Sequence, residues 1–447
     1  MSTAIFKNLN HEDNKSNLGE KSFIEGIIYW IIVLTPLWWL LGIQTLFYPA
    51  VASYLIFMSF RLEKLLKISV PICIWSWLAM SIVMLWTAII GISNLNLDLI
   101  KIAASGVTLF KSYFLIFSCL VVPFWQPVRA KIVTRAIAWM ATGYLVTLAI
   151  QLAILAVFGP LPPLMTPLAN AVPPDSNKLA LVVKFATIQD FFGIPLPRTD
   201  LYTADPPILG ACALLCFFIC LAETNPRLRK FSVLGSLIAL LAAQSRISWL
   251  GLPLGLLVLF GFRSSWLRQG YLWLASFTCL ICSCLGLSFQ DLINKPLEIF
   301  TSARAESSSD RELVIKKTIE AWQEKPWIGW GVVHETVKWH IYEVDLGSFS
   351  TYTSVLYLHG IFGFIVFIFA LISTLSSFWK TAINGNLSSQ LAFTSLIALY
   401  FLLNATPLSW MVVYFWFFFI WLGANLAEIQ ENRKNVVRWE QLETQIL

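Results

Sequence analysis

Long apolar segments alternate with shorter polar ones along almost the whole chain. A helix needs roughly 20 mainly apolar residues to cross a bilayer, and on that measure the pattern predicts about twelve transmembrane helices. Their approximate spans are 23–40, 43–60, 69–92, 103–124, 136–158, 206–222, 230–244, 247–262, 270–289, 352–377, 388–403 and 408–427. The first pair meets near Gly42 and the seventh meets the eighth near Arg246, which predicts two tight helical hairpins. The predicted fold class is therefore all-α, a polytopic membrane protein with a single membrane domain over residues 1–447.

Two longer polar segments interrupt this pattern. Residues 159–205 are too rich in proline to form one continuous helix, although Lys178 to Phe192 are predicted to form a short surface helix. Residues 290–350 separate the ninth predicted helix from the tenth and are expected to form a loop domain.

A capping box predicts where the helix of this loop domain begins. Ser309 fits the N-cap position and Glu312 the third helical position, while Pro326 ends the pattern, so a short surface helix is expected near 310–325. Arg311 then falls in the first turn, where a cation beside free amide donors makes an anion site. The alternative is a surface salt bridge of Arg311 with Asp310 or Glu306.

Composition and charge agree with a membrane protein and exclude two other classes. Hydrophobic residues make up 57% of the chain and the mean hydropathy is +0.72, too apolar for a soluble globular protein. The formal charge of +6 comes in short clusters between apolar segments, which is typical of topology determinants and not of a nucleic-acid partner. The eight cysteines all lie in apolar segments, which favours packing over a disulfide framework or a metal site.

The distribution of Lys and Arg predicts the orientation. These residues collect after the second, fourth, sixth, eighth, tenth and last predicted helices, and short cytoplasmic loops carry such an excess. The first 22 residues lack the pattern of a signal peptide. Both termini are therefore expected in the cytoplasm, which places 159–205 and 290–350 outside, in the periplasm of a cell inner membrane.

Four arginines are the main candidates for chemistry, and all fall on this outer face. Arg246 lies at the tip of a helical hairpin between apolar segments, and Arg311 lies in the loop domain with Arg304. Arg198 belongs to the proline-rich segment. Guanidinium groups grip phosphate in bidentate fashion, so a phosphate-bearing substrate at the outer leaflet is the natural partner. The alternatives are snorkelling of Arg246 to the interface and pairing of Arg198 with Asp200 or Asp205.

Three histidines are candidates for a general base. His334 and His340 follow a glycine-rich stretch of the loop domain, and His359 lies near the top of the tenth predicted helix. A surface role for the loop histidines and simple packing of His359 are the alternatives. Without a nearby carboxylate pattern, the histidines do not predict a metal site.

The order of several motifs resembles the O-antigen ligase and polymerase superfamily. These motifs are Ser245-Arg246, Ser307-Ser-Ser-Asp-Arg311, Lys325-Pro-Trp-Ile-Gly-Trp-Gly331, Gly347-Ser-Phe-Ser-Thr-Tyr352 and His359-Gly-Ile-Phe-Gly363. The resemblance implies transfer of a glycan from an undecaprenyl-diphosphate carrier to a hydroxyl of a lipid or glycan acceptor, without a metal or nucleotide cofactor. It further implies that Arg246 and Arg311 neutralise the diphosphate, and that a loop histidine acts on the acceptor.

The chain departs from the family at one position. Relatives carry that histidine in a Gly-Ser-His-Ser-Thr type of segment, and here the matching residue is Phe349, which cannot accept a proton. Either His340 or His334 replaces it, or catalysis rests on positioning and charge neutralisation, or the chain is a non-catalytic partner in envelope glycan assembly. A polymerase and a polar-solute or anion transporter are further alternatives. A transporter is disfavoured because Lys111 is the one charge well inside a predicted span and no pair of short Gly/Pro-broken helix halves repeats.

Overall fold

The computed structural model describes residues 23–59, 70–95, 99–171, 178, 180–191, 193–286, 305–339 and 342–446. The fold is predominantly helical. The helices are α1 (Phe23–Val33), α2 (Thr35–Leu41), α3 (Gln44–Ser59), α4 (Ile72–Leu95), α5 (Leu99–Lys111), α6 (Tyr113–Trp125), α7 (Ala130–Phe158), α8 (Pro167–Ala171), α9 (Pro206–Cys220), α10 (Pro226–Ala242), α11 (Arg246–Arg263), α12 (Ser265–Leu285), α13 (Ala305–Glu324), α14 (Thr351–Ile383), α15 (Leu387–Leu402) and α16 (Leu408–Ile446).

Within the described residues, each segment that the hydropathy pattern predicts to span the membrane is largely helical. Within the described ranges, six helical stretches are long and apolar enough to cross a bilayer, and seven if α1 and α2, which meet at 60°, form one broken span. The chain is therefore a multi-pass membrane protein, as its composition predicts. The count of twelve spans and the orientation of the termini stay predictions.

The strands are confined to the connections between helices. They form three antiparallel pairs, β1 (Leu164–Met165) with β2 (Val182–Val183), β3 (Thr187–Phe191) with β4 (Ile194–Arg198), and β5 (Thr336–Trp339) with β6 (Tyr342–Asp345). The surface helix predicted over Lys178 to Phe192 is wrong, because β2 and β3 occupy that stretch. Gly193, with φ of +71°, turns the chain so that β4 pairs back onto β3.

The apolar part of α16 forms the centre of the bundle. Within Leu408–Asn435, 89% of the residues in the most apolar 18-residue stretch are buried. The helix packs along α6 and α7. At the end where α7 begins, the buried Glu25 of α1 accepts hydrogen bonds from Arg129, and Glu428 of α16 accepts one from the Ala130 amide. These charged groups tie α1, α7 and α16 together where their backbones leave the apolar core.

The loop helix α13 begins earlier than the capping box predicts. It already includes Ala305 and ends at Glu324, just before Pro326, so the predicted end is correct and the predicted start at Ser309 is wrong. Arg311 accordingly lies in the second turn. An anion site built from Arg311 and the free amides of a first turn is therefore excluded.

Candidate functional site

Residues 243–245 form the hairpin tip between α10 and α11, directly before Arg246. Gln244 takes a left-handed backbone with φ of +49°, a conformation that non-glycine residues adopt rarely, and its side-chain amide donates to the Pro197 carbonyl at 3.1 Å. Gly210 of α9 faces Ser245 so closely that an added Cβ would lie 2.7 Å from the Ser245 Cβ. The tip is thus packed between α9 and the β3–β4 hairpin, and the half-buried Arg246 starts α11 directly after it.

Arg198 at the end of β4 joins this tip. Its Nε donates to the Ala243 carbonyl at 3.2 Å and its Nη1 donates to Gln189 Oε1 at 2.8 Å. The Thr199 amide also donates to the Ala242 carbonyl. The proline-rich segment and the hairpin tip, which are about 50 residues apart in sequence, therefore meet at Arg198 and the residues just before Arg246.

A carboxyl group lies among cations from three parts of the chain. Asp205 precedes α9 and makes no side-chain cap to that helix. Burial raises the pKa of Asp205, and the charges of Arg198, Lys184 and Arg311 act in the opposite direction. Arg311 of the loop helix thus lies within electrostatic range of the start of α9, on the side where Arg198 contacts the tip.

A second carboxyl group, Asp200, adjoins the first, and the sequence analysis considered it only as a partner of Arg198. Asp200 is 3% exposed, and its Oδ2 lies 3.7 Å from the Lys184 ammonium, which also donates to the Ala204 carbonyl at 2.8 Å. Burial raises the pKa of Asp200 to about 7, with Lys184 opposing the shift. The only signal in the sequence was a pair of aspartates just before an apolar helix, which is equally typical of a helix start.

The loop after α13 docks on a break in α14. At Gly360 the backbone leaves helical geometry, with φ of +62° and ψ of −166°. The break would leave carbonyl and amide groups of α14 without helical partners, which is costly where no water reaches them. Residues 326–331 replace those partners on both sides of the break.

Four backbone hydrogen bonds form this junction. The amides of Trp330 and Gly331 donate to the carbonyls of Tyr357 and Leu358, at 2.9 and 2.8 Å. In return, the amides of residues 361 and 362 donate to the carbonyls of residues 326 and 327. Two of the motifs that carry the resemblance, Lys325–Gly331 and His359–Gly363, are therefore joined by backbone hydrogen bonds.

Phe349 lies under Arg311. The guanidinium carbon of Arg311 is 5.1 Å from the centre of the Phe349 ring, within the range of a cation–π interaction. The Gly347 amide donates to Thr318 Oγ1 at 3.0 Å, which fixes the segment before α14 along α13. The residue at the family's histidine position thus contacts the arginine that the resemblance assigns to the diphosphate.

His334 is held at the other end of α13. Its Nδ1 lies 2.9 Å from the Tyr357 hydroxyl, its Nε2 lies 3.3 Å from Glu335 Oε1, and its ring centre is 3.8 Å from that of Trp330. Trp330 in turn donates to the Ala321 carbonyl, which is ten residues from Arg311, or about 15 Å along the helix. The structure therefore does not bring His334 next to Arg311.

The other candidates fall elsewhere. His340 and Arg304 lie outside the described residues. His359 is 2% exposed and its Nδ1 lies 2.7 Å from Thr87 Oγ1, so it belongs to the core. In the part of the chain that the structure describes, no three His, Cys, Asp or Glu side chains are grouped to hold a metal ion.

Comparison with known proteins finds a family similar to one part of the chain. No curated protein shows significant sequence similarity to the chain. Residues 231–368, which include the hairpin tip, the loop domain and the break in α14, match the O-antigen ligase family. The match covers about a third of the chain and confirms, over those residues, the resemblance that the sequence motifs indicate.

Proposed function

We propose that this chain transfers a glycan from an undecaprenyl-diphosphate carrier to a hydroxyl acceptor at the periplasmic face of the inner membrane. One observation carries the proposal, namely that Arg198, the tip before Arg246 and the loop helix with Arg311 gather around the start of α9. Guanidinium groups in such a cluster bind a diphosphate through charge-assisted hydrogen bonds.

The arginines stabilise the leaving group. The acceptor oxygen attacks the anomeric carbon of the glycan, the bond from that carbon to the diphosphate oxygen breaks, and negative charge develops on the diphosphate. Arg246 and Arg311 neutralise this charge, with Arg198 and Arg304 assisting. Electrostatic stabilisation of this kind needs no resident metal or nucleotide cofactor.

The acceptor proton needs a base other than Phe349. His340 and His334 stay in the proposal, although both ring nitrogens of His334 already have partners. Asp205 is a third candidate, because it is only partly buried and lies within electrostatic range of Arg311. A positioned base contributes typically 10²- to 10⁴-fold in rate, so its loss is easily measured.

The test is genetic. Deletion of the gene is expected to alter the surface glycan profile on gels, and complementation with Arg246→Ala or Arg311→Ala is expected to leave it altered. Arg263→Ala is the matched control, because Arg263 is an exposed arginine at the opposite end of the same helix as Arg246. An unchanged profile after deletion would refute the transferase function.

The same experiment separates the remaining alternatives. If both arginine variants restore the profile fully, the site assignment fails while the function stands. Loss of glycan attachment indicates a ligase, whereas glycans that are attached but short indicate a polymerase. A transporter would instead leave the lipid-linked precursor at the cytoplasmic face.

A further inference from the structure

A groove on the side of the bundle contains a single charged residue. It lies between α3 and α5 with a volume of about 230 Å³. Its walls include Leu46, Val107 and Phe110, which are 50%, 45% and 50% exposed, and Lys111 closes the groove where α5 ends. The walls are therefore surfaces that face the hydrocarbon of the bilayer, with one ammonium among them.

The groove reaches from the start of α3 to the level of the middle of α4, on the side of the bundle where the loop after α13 docks. Ser112, beside Lys111, donates to Met84 Sδ of α4 at 3.1 Å, so Lys111 is level with Met84. Seven residues further along α4, Gly91 is packed against the backbone of Trp330 and Gly331. At 1.5 Å per residue, Lys111 is about 10 Å below the point where α4 meets the docked loop.

The upper end of the groove opens toward the proline-rich segment. Thr45 lines it at the start of α3, three residues after the turn at Gly42, which packs against Thr166 and the Leu181 carbonyl. A hydroxyl group thus stands at the rim and the ammonium deeper in the groove. This arrangement suits a headgroup that enters from the outer surface.

Lys111 lacks a protein counter-ion within the described ranges. None of the ion pairs found there includes it. An ionisable side chain at such a depth normally faces a partner or a cavity, or it extends toward the interface along apolar walls. Here the cavity is open to lipid, so the partner that fits is a lipid anion.

We propose that this groove binds an anionic phospholipid, with its phosphate on Lys111 and one acyl chain along Val107 and Phe110. The donor carrier is a less suitable occupant, because α3 and α5 lie outside residues 231–368 and none of the candidate arginines lines the groove. The bound lipid would fill the seam between α3 and α5 and stabilise that side of the bundle. The proposal does not depend on the transferase activity.

Native mass spectrometry of the full chain in detergent tests the proposal, with phosphatidylglycerol as the probe and phosphatidylcholine as its zwitterionic counterpart. We expect preferential retention of one phosphatidylglycerol, and a loss of at least about fivefold in its apparent affinity with Lys111→Gln, since a basic residue already contributes about 1 kcal/mol at the membrane surface and Lys111 lies deeper. Lys380→Gln is the matched control, because Lys380 is an exposed lysine in the last turn of α14.

A second variant tests the groove without changing its charge. Val107→Trp fills the space beside Lys111 and is expected to lower phosphatidylglycerol retention as well, while thermal unfolding without added lipid confirms that the variant is folded. Equal retention in wild type, Lys111→Gln and Val107→Trp would overturn the proposal. So would an equal loss with Lys380→Gln, or displacement of phosphatidylglycerol by undecaprenyl phosphate at equimolar concentration.

Discussion

Gly331→Ala should release the loop domain from the membrane bundle. Gly331 has φ of +74°, and a Cβ there would overlap the Thr87 carbonyl group of α4, lying 2.6 Å from its carbon. The left-handed backbone alone costs a residue with a side chain about 1–2 kcal/mol. Overpacking against a backbone that cannot rotate away adds roughly 1–3 kcal/mol.

The chain offers a control that separates these two costs. Gly193, in the β3–β4 turn, has φ of +71° but nothing within 4 Å of an added Cβ. Gly193→Ala therefore carries the backbone cost alone. The excess of roughly 1–3 kcal/mol for Gly331→Ala corresponds to about a 5- to 150-fold larger population of undocked loop.

Limited proteolysis of the purified protein measures this population. Trypsin cleavage after Lys338 should accelerate in Gly331→Ala and stay near the wild-type rate in Gly193→Ala. Surface glycan should be lost in the first variant, because the loop carries Arg311. Equal cleavage rates in the two variants would refute the proposed docking on α4.

Three further predictions concern charged groups. Glu25→Gln should lower the free energy of unfolding by about 2–3 kcal/mol, less than for a fully buried ion pair because Arg129 is 37% exposed, as measured by thermal unfolding in detergent. The raised pKa of Asp200, about 7, means that the folded state holds a proton that the unfolded chain releases near pH 4. Stability should therefore fall between pH 4 and 7 and level off above, and Asp200→Asn should flatten this dependence. Asp205→Asn should reduce glycan transfer by about 10²-fold or more if Asp205 is the base, and adding Phe349→His should restore part of it.

Each of these predictions has an outcome that contradicts it. Glu25→Gln with an unchanged unfolding temperature would mean that the pair with Arg129 contributes nothing net. Stability that rises from pH 4 to 7 would contradict a protonated Asp200. If Asp205→Asn transfers glycan at the wild-type rate, the base is a histidine, and His340→Ala and His334→Ala identify which.

The positions of the helices were predictable because a run of apolar residues is a local feature of the sequence. A long apolar run in a membrane must satisfy its own backbone hydrogen bonds, and a helix does so within the run. The same local signal misplaced the helix start at Ser309, because that capping box lies inside a helix that already includes Ala305. It misled again at residues 178–192, because strand pairing depends on a partner further along the chain.

The sequence by itself determined a helical membrane protein whose motifs resemble the O-antigen ligase family, and it singled out Arg246 and Arg311 as candidate site residues. Only the tertiary structure decided that residues 326–331 complete the broken helix at Gly360, that Phe349 lies under Arg311, and that Asp205 joins the arginine cluster. Hydropathy can be read from each residue of the sequence, whereas the hydrogen-bond and charge partners of a group lie in distant parts of the chain. Packing alone brings those partners together.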